Sequence, residues 1–280
     1  MRYAYNTLVY GDEPLEKGIA RLARYGYDGA EIVGEPDTMD AAKIRGWLDD
    51  AGIVASGICA IYTPERDLVS ASPEIRRAAV DYVKQCVDFA EQLGGEVISV
   101  TPTACMKIRP EADVEQELEW AAQGIREAGE YAGEHGIRLA VEPWNRYETY
   151  LVNRVAQSRA LVEQVGLPSV GCMADTFHMG IEEVDVAEAM RSVADRLVHV
   201  HFADSDRAAP GHGHIDFKPV VQALKDAGYG GYISFELLPA AGDPFLALRG
   251  GKAQEFFDEY TESAIAYVKQ IERELEPVAA

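Results

Sequence analysis

Eight short apolar or β-branched runs alternate with longer helical patterns along the whole chain, and this alternation constrains the fold more than any other feature. The predicted strands are Arg2–Tyr5, Gly29–Val33, Val54–Ala60, Val97–Thr101, Arg138–Glu142, Ser169–Asp175, Leu197–Ala203 and Tyr232–Leu237. The clearest helix between them is Ser72–Leu93. Ser72 can cap it, Pro73 suits its first turn, and Gly94-Gly95 ends it. Its apolar stripe runs through Ile75, Ala79, Tyr82, Val83, Cys86, Phe89, Ala90 and Leu93. Helix-to-strand joints repeat one grammar, as in Tyr25-Gly26, Ala51-Gly52, His135-Gly136 and Ala227-Gly228. Glycine suits those joints because the residue past a helix end adopts a left-handed conformation. Eight strand–helix units without an inserted antiparallel run predict an α/β fold, a (β/α)₈ TIM barrel forming a single domain over residues 1–280. An open doubly wound sheet is the alternative, but no GxGxxG follows the first strand. Two strand-to-helix loops are long, Pro102–Ala112 and Leu238–Gly251, and both are expected on the C-terminal face, where such barrels carry their active sites.

The last four strands each carry a potential metal ligand at or near that face. These are Glu142 (RLAVEPW), Asp175 (GCMADTFH), His201 (LVHVHFAD) and Glu236 (YISFEL). One polar strand end means little, but four in succession converge on one mouth. Three carboxylates and an imidazole make a mostly oxygen site, suited to one divalent cation, Mn²⁺ first, with Mg²⁺ or Co²⁺ as alternatives. The plain alternative is four solvated strand ends, although several buried acids without a cation are costly. All six histidines fall after residue 134. His201 is expected to face the mouth, and His199, taken as alternating with it, the helix layer. His135 reads as a solvated helix cap, His212 as a loop residue, and His214 as a residue that could help order the pocket. Trp144 is a candidate stacking wall for a ligand ring or a packing residue.

Other classes are disfavoured by charge and patterning. With 26 Lys and Arg against 47 Asp and Glu, the net charge of −21 repels phosphate backbones and anionic lipid, so no nucleic-acid or membrane partner is expected. The N-terminal MRYAYNTLVYG lacks a signal-peptide apolar run, and the expected location is cytoplasmic. The four cysteines form no CxxC pair, and Cys59, Cys86 and Cys172 read as small core hydrophobes.

Four segments then carry a specific resemblance: EPWNRYETYLVN (142–153), DTFHMGIEE (175–183), HVHFADSDRAAPGHGHIDF (199–217) and ISFELL (233–238). In motif order and spacing they resemble the ketose 3-epimerases, the tagatose and allulose 3-epimerase family of the sugar isomerase/epimerase barrels. The resemblance implies that Glu142, Asp175, His201 and Glu236 bind the metal. It also implies that Glu148, His178 and Arg207 contact the substrate near its carbonyl and reacting carbon. The implied activity is isomerisation or epimerisation of a keto-sugar through a cis-enediolate, with Glu142 and Glu236 as the catalytic acid–base pair. The chain departs from that family in the loop TPTACMKIRP after strand four, at Gly180, at ELLPAAGDPF and in AYNTLVYG, all positions suited to gripping the distal end of a substrate.

Rival readings use the same machinery. They are an inosose or hydroxypyruvate isomerase, and a carbon–carbon lyase that deglycosylates 3-oxo-C-glycosides by β-elimination. The lyase would act on a keto-glycoside and pair with a small second subunit, and the apolar run Phe245-Leu246-Ala247-Leu248 is a candidate docking surface for it or a pocket lid. An apurinic-site endonuclease would need early-strand histidines that this chain lacks. A non-catalytic sugar-binding barrel fits poorly with so complete a polar set. A homo-oligomer, at least a dimer, is expected.

Overall fold

The computed structural model describes residues 1–239 and 254–276. Eight strands close into a barrel in chain order: β1 (Arg2–Asn6), β2 (Gly29–Gly34), β3 (Val54–Ala60), β4 (Val97–Val100), β5 (Arg138–Val141), β6 (Val170–Asp175), β7 (Leu197–Phe202) and β8 (Tyr232–Phe235). Every neighbouring pair is parallel, and β8 returns to β1 through Arg2↔Tyr232 to Tyr5↔Phe235. The helices wrapped around it are α1 (Leu15–Tyr25), α2 (Ala41–Ala51), α3 (Pro73–Leu93), α4 (Val114–Glu134), α5 (Val155–Val165), α6 (Thr176–Glu182), α7 (Val186–Ser192), α8 (Phe217–Asp226) and α9 (Gln254–Glu274). The (β/α)₈ expectation holds, with β6 followed by two short helices instead of one.

Local chemistry explains why these segments form. Ser72 caps α3 by accepting from the Ile75 N–H at 3.3 Å, and Gly94 ends it at φ +78°. The α3 stripe, including Val83, Cys86, Phe89 and Leu93, is buried with the outer faces of the strands in one continuous core. Strand spacing is tight enough that Gly171 of β6 has no room for a side chain. A Cβ there would lie 2.4 Å from Val198 Cγ1 and 2.7 Å from the Arg196 carbonyl.

The predicted ends of β4, β5, β7 and β8 overran the ladders by a residue or two on the C-terminal side, whereas β1 and β2 each run one residue further than predicted. Glu142 and Glu236 lie just beyond β5 and β8, yet both remain pinned. The Glu142 N–H donates to the Val100 carbonyl at 2.9 Å, and the Glu236 N–H to the Phe202 carbonyl at 3.2 Å. Both carboxylates are therefore aimed into the barrel mouth from a held backbone. The long loop Leu238–Gly251, with the apolar run Phe245–Leu248, lies mostly outside the described residues, from position 240 onward.

Candidate metal centre and active site

The mouth of the barrel gathers Glu142, Asp175, His201 and Glu236, each buried and each offering an atom within 4.8 Å of the others. His201 Nδ1 faces inward, 3.8 Å from Glu142 Oε1, 3.8 Å from Asp175 Oδ2 and 3.5 Å from Glu236 Oε2. Asp175 divides its carboxylate. Oδ1 caps α6 by accepting from the Phe177 N–H at 2.8 Å, and Oδ2 turns toward the cluster. Glu142 Oε1, Asp175 Oδ2 and His201 Nδ1 have no hydrogen-bond partner among the described residues. Buried polar atoms are nearly always paired, so three convergent unpaired acceptors fit a bound cation. The donor set, three carboxylates and one imidazole nitrogen, fits a hard divalent ion.

The environment sets the charge states apart. Burial pushes the Glu142 carboxyl well above its usual range; His201 pulls it back, while Glu236 and Asp175 add to the rise. Burial likewise pushes Asp175 up to about 6 against the pull of Arg207. At Glu236 burial acts in the same direction, but Arg207 and His201 outweigh it and hold the group low. Arg207 Nη2 donates directly to Glu236 Oε2 and lies 4.0 Å from Asp175 Oδ2. Asn6 Nδ2 donates to Glu236 Oε1 at 3.0 Å, so this carboxylate is held from both ends.

A row of hydrogen bonds orients the rest of the mouth. The backbone N–H of Asn145 donates to His178 Nδ1 at 3.1 Å, and Asn145 Nδ2 lies 2.8 Å from the same nitrogen. With Nδ1 accepting, the neutral ring carries its proton on Nε2. Burial first, then Arg207 and His201, keep the ring neutral by lowering its pKa well below the ordinary value. Arg207 Nη1 is 3.3 Å from that Nε2, so two donors face one region instead of bonding each other. Asn145 Nδ2 also donates to Glu148 Oε1 at 2.8 Å. Arg207 reaches the site from a left-handed backbone at φ +64°, and the loop behind it is tied by Asp204, which accepts from the N–H groups of Ser205, Gly211 and Ile215. Glu142, Glu148, Arg207 and Glu236 form the polar part of a cavity of about 170 Å³, and Leu8, Ala60, Ile61, Tyr62 and Trp144 contribute apolar walls.

One expectation is overturned. His199 does not face the helix layer, because residues two apart on a strand point to the same side. His199 and His201 are both fully buried and both turn Nε2 toward Glu31 of β2, at 3.0 and 2.8 Å. His214 is exposed and stands outside the cavity walls. Cys59 is buried as expected, but it also lines the cavity, with Sγ 3.9 Å from Glu236 Oε1. Glu31, Asn6, Asn145 and Asp204 were missed in the sequence. An acid inside the apolar strand GAEIVG was the available signal for Glu31, since a buried carboxylate demands partners.

With this geometry in place, the comparisons define the class. The chain belongs to the Xylose isomerase-like TIM barrel family, whose profile matches residues 19–254. Within that family the similarity is to ketose 3-epimerases. The chain is 32% identical over 242 residues to an L-ribulose 3-epimerase of Methylomonas sp. (strain DH-1), which spans 84% of each protein. It is 31% identical over 216 residues to a D-psicose 3-epimerase of Enterocloster bolteae, covering 75% of this chain and 67% of the relative. A solved structure of D-allulose 3-epimerase from Methylomonas sp., in complex with D-allulose, matches the fold with a TM-score of 0.87 at 28% identity, over 96% of each chain. The resemblance drawn from the four motifs is borne out. Among the described residues no helix is long and apolar enough to cross a membrane.

Proposed function

We propose that this chain is a divalent-metal-dependent ketose 3-epimerase that moves a proton beside a ketone through a cis-enediolate. The observation that carries the proposal is the four-strand cluster with its three unpaired acceptors. Glu142, Asp175, His201 and Glu236 would hold the ion, with Mn²⁺ favoured over Mg²⁺ or Co²⁺. When bound, such an ion supplies electrostatic stabilisation of negative charge on substrate oxygens.

The chain's own residues supply the rest. Glu142 and Glu236 approach from β5 and β8, so they can serve opposite faces of one sugar carbon. One carboxylate removes the proton, and the C–H electron pair moves into the C–C bond as the carbonyl π pair moves onto oxygen. The other carboxylate returns a proton to the opposite face and inverts the centre. Glu236 is held ionised by Arg207 and His201, which suits it to accept the proton. Arg207 and the Nε2–H of His178 are two donors aimed at one region, and they would stabilise the developing oxyanion. Glu148 would accept from a sugar hydroxyl.

The distal half of the substrate defines a second reading. The chain is 26% identical, over 89% of its length, to a 3-dehydro-D-guloside 4-epimerase of Escherichia coli (strain K12). The same proton transfer on a keto-glycoside would use the apolar wall of Leu8, Ile61 and Trp144. A dimeric or larger assembly and a cytoplasmic location complete the proposal. The test is to strip the protein with a chelator, restore it with Mn²⁺, and follow solvent deuterium incorporation into a panel of ketoses and 3-oxo-glycosides. Metal-dependent exchange beside the carbonyl of a free ketose supports the first reading, and exchange confined to 3-oxo-glycosides supports the second. Aglycone release would instead move the chain to the lyase reaction, and no exchange with metal bound refutes the proposed chemistry.

A further inference from the structure

We infer that Glu31, which supplies no ligand atom to the four-residue cluster, selects the nitrogen that His201 presents to the cation and fixes the plane of that ring, thereby setting the affinity of the centre. The inference rests on the metal-centre reading above. Glu31 sits fully buried on β2, across the barrel from β7. Both of its oxygens are engaged. Oε2 accepts from His201 Nε2 at 2.8 Å and from the Ser234 hydroxyl at 2.5 Å, and Oε1 accepts from His199 Nε2 at 3.0 Å.

A carboxylate can only accept, so the ring nitrogen facing it must carry hydrogen. For the neutral His201 ring this places the lone pair on Nδ1, the nitrogen that faces Glu142, Asp175 and Glu236 and has no other partner. His199 and Ser234 stop the carboxylate from turning. His199 occupies the second oxygen, and Ser234 sits beside His201 in the β7–β8 register. Glu31, His199 and His201 also lie close enough together to resemble a second metal seat. The hydrogen bonds argue otherwise, because both Glu31 oxygens are already satisfied by N–H and O–H donors. The trio is a clamp beneath the centre. Groups that orient a ligating imidazole through its far nitrogen are worth about 10–100-fold in metal affinity.

The test compares Mn²⁺ binding by the full-length wild type and by Glu31→Gln, using electron paramagnetic resonance titration of free ion. An amide keeps one acceptor but sets an N–H₂ against one of the imidazole N–H groups, so a loss of about 10–100-fold is expected. A folded E31Q that binds Mn²⁺ within about twofold of wild type overturns this inference alone. A wild type that binds no Mn²⁺ overturns the metal centre and this inference with it. Should E31Q fail to fold, nitrogen-15 histidine spectra of the Zn²⁺-loaded wild type decide the question. Zn²⁺ on Nδ1 of His201 with hydrogen on Nε2 is expected, and Zn²⁺ on Nε2 refutes the clamp. A residue that merely fills the barrel interior would leave that assignment and the Mn²⁺ affinity unmoved.

Discussion

Replacing Glu142 with Gln separates the chemistry of the site from the stability of the barrel. The side chain is buried, its Oε1 is unpaired, and burial together with Glu236 and Asp175 favours its protonated form against the pull of His201. Gln keeps the shape and removes the acid, so the metal-free barrel should melt close to wild type or slightly above it. Turnover should behave in the opposite way. Positioned acid–base groups contribute about 10²–10⁴-fold, which is about 2.7–5.4 kcal/mol of barrier at 1.36 kcal/mol per decade. A cation ligand is lost as well, so the expected fall in deuterium incorporation into the ketose is at least about 10³-fold. The same variant reports on the metal through thermal melts. A ligand at 100 times its dissociation constant adds about 2.7 kcal/mol of stability. For a chain of this size that raises Tm by roughly 4–5 °C. Wild type should show that rise with Mn²⁺, and Glu142→Gln should lose most of it. Turnover within about tenfold of wild type would refute the assignment of Glu142 to proton transfer. An undiminished Mn²⁺ shift in the melt would refute its assignment as a ligand.

Two further outcomes follow from the same geometry. Without a cation, Asp175 is raised to about 6, Glu142 is raised above its usual range, and Glu31 and Glu236 overcome burial to favour the proton on His201. A cation binds the deprotonated forms and must displace those protons, so Mn²⁺ affinity should fall as pH drops through about 6 and recover above it. Calorimetric titrations at about pH 5 and about pH 8 check this, and equal affinities at both would contradict it. Gly171→Ala should destabilise the barrel, because its Cβ would stand 2.4 Å from Val198 Cγ1 and 2.7 Å from a backbone carbonyl. The expected cost is about 1–3 kcal/mol in urea unfolding, and an unchanged midpoint would show that β6 and the start of β7 are not packed this closely.

What could be read from the sequence divides along physical lines. The barrel was legible because its signal is periodic and redundant: eight apolar runs, helix stripes such as Ile75–Leu93, and a glycine at joint after joint. The four-residue cluster was legible because strand ends in such a barrel must converge, so Glu142, Asp175, His201 and Glu236 needed no further information to be brought together. His199 stands two residues from His201, so strand periodicity puts both on one face, and the structure turns both toward Glu31. Contacts between distant segments were not legible. Asn6 on Glu236 spans 230 residues and Glu31 on His201 spans 170, and nothing local in either stretch announces its partner. Arg207 was carried by motif resemblance. Its left-handed backbone and the Asp204 anchor that holds its loop depend on loop geometry that periodicity does not encode.

The two layers inside the barrel mouth explain why the chain keeps so many acids there. In the lower layer both carboxylate oxygens have donors, since Glu31 is satisfied by His199, His201 and Ser234. The upper layer differs. Glu236 is matched by Arg207 and Asn6, but Glu142 Oε1 and Asp175 Oδ2 face inward without donors among the described residues. Burying such groups is unfavourable, and well-packed apolar residues in their place are often neutral or stabilising. A sequence selected for barrel stability alone would lose Glu142 and Asp175 before the barrel itself. Their presence beside a neutral His178 and a half-buried Arg207 fits the proposed role of the mouth, in which a divalent cation offsets their charge and Glu142 and Glu236 pass a substrate proton between faces.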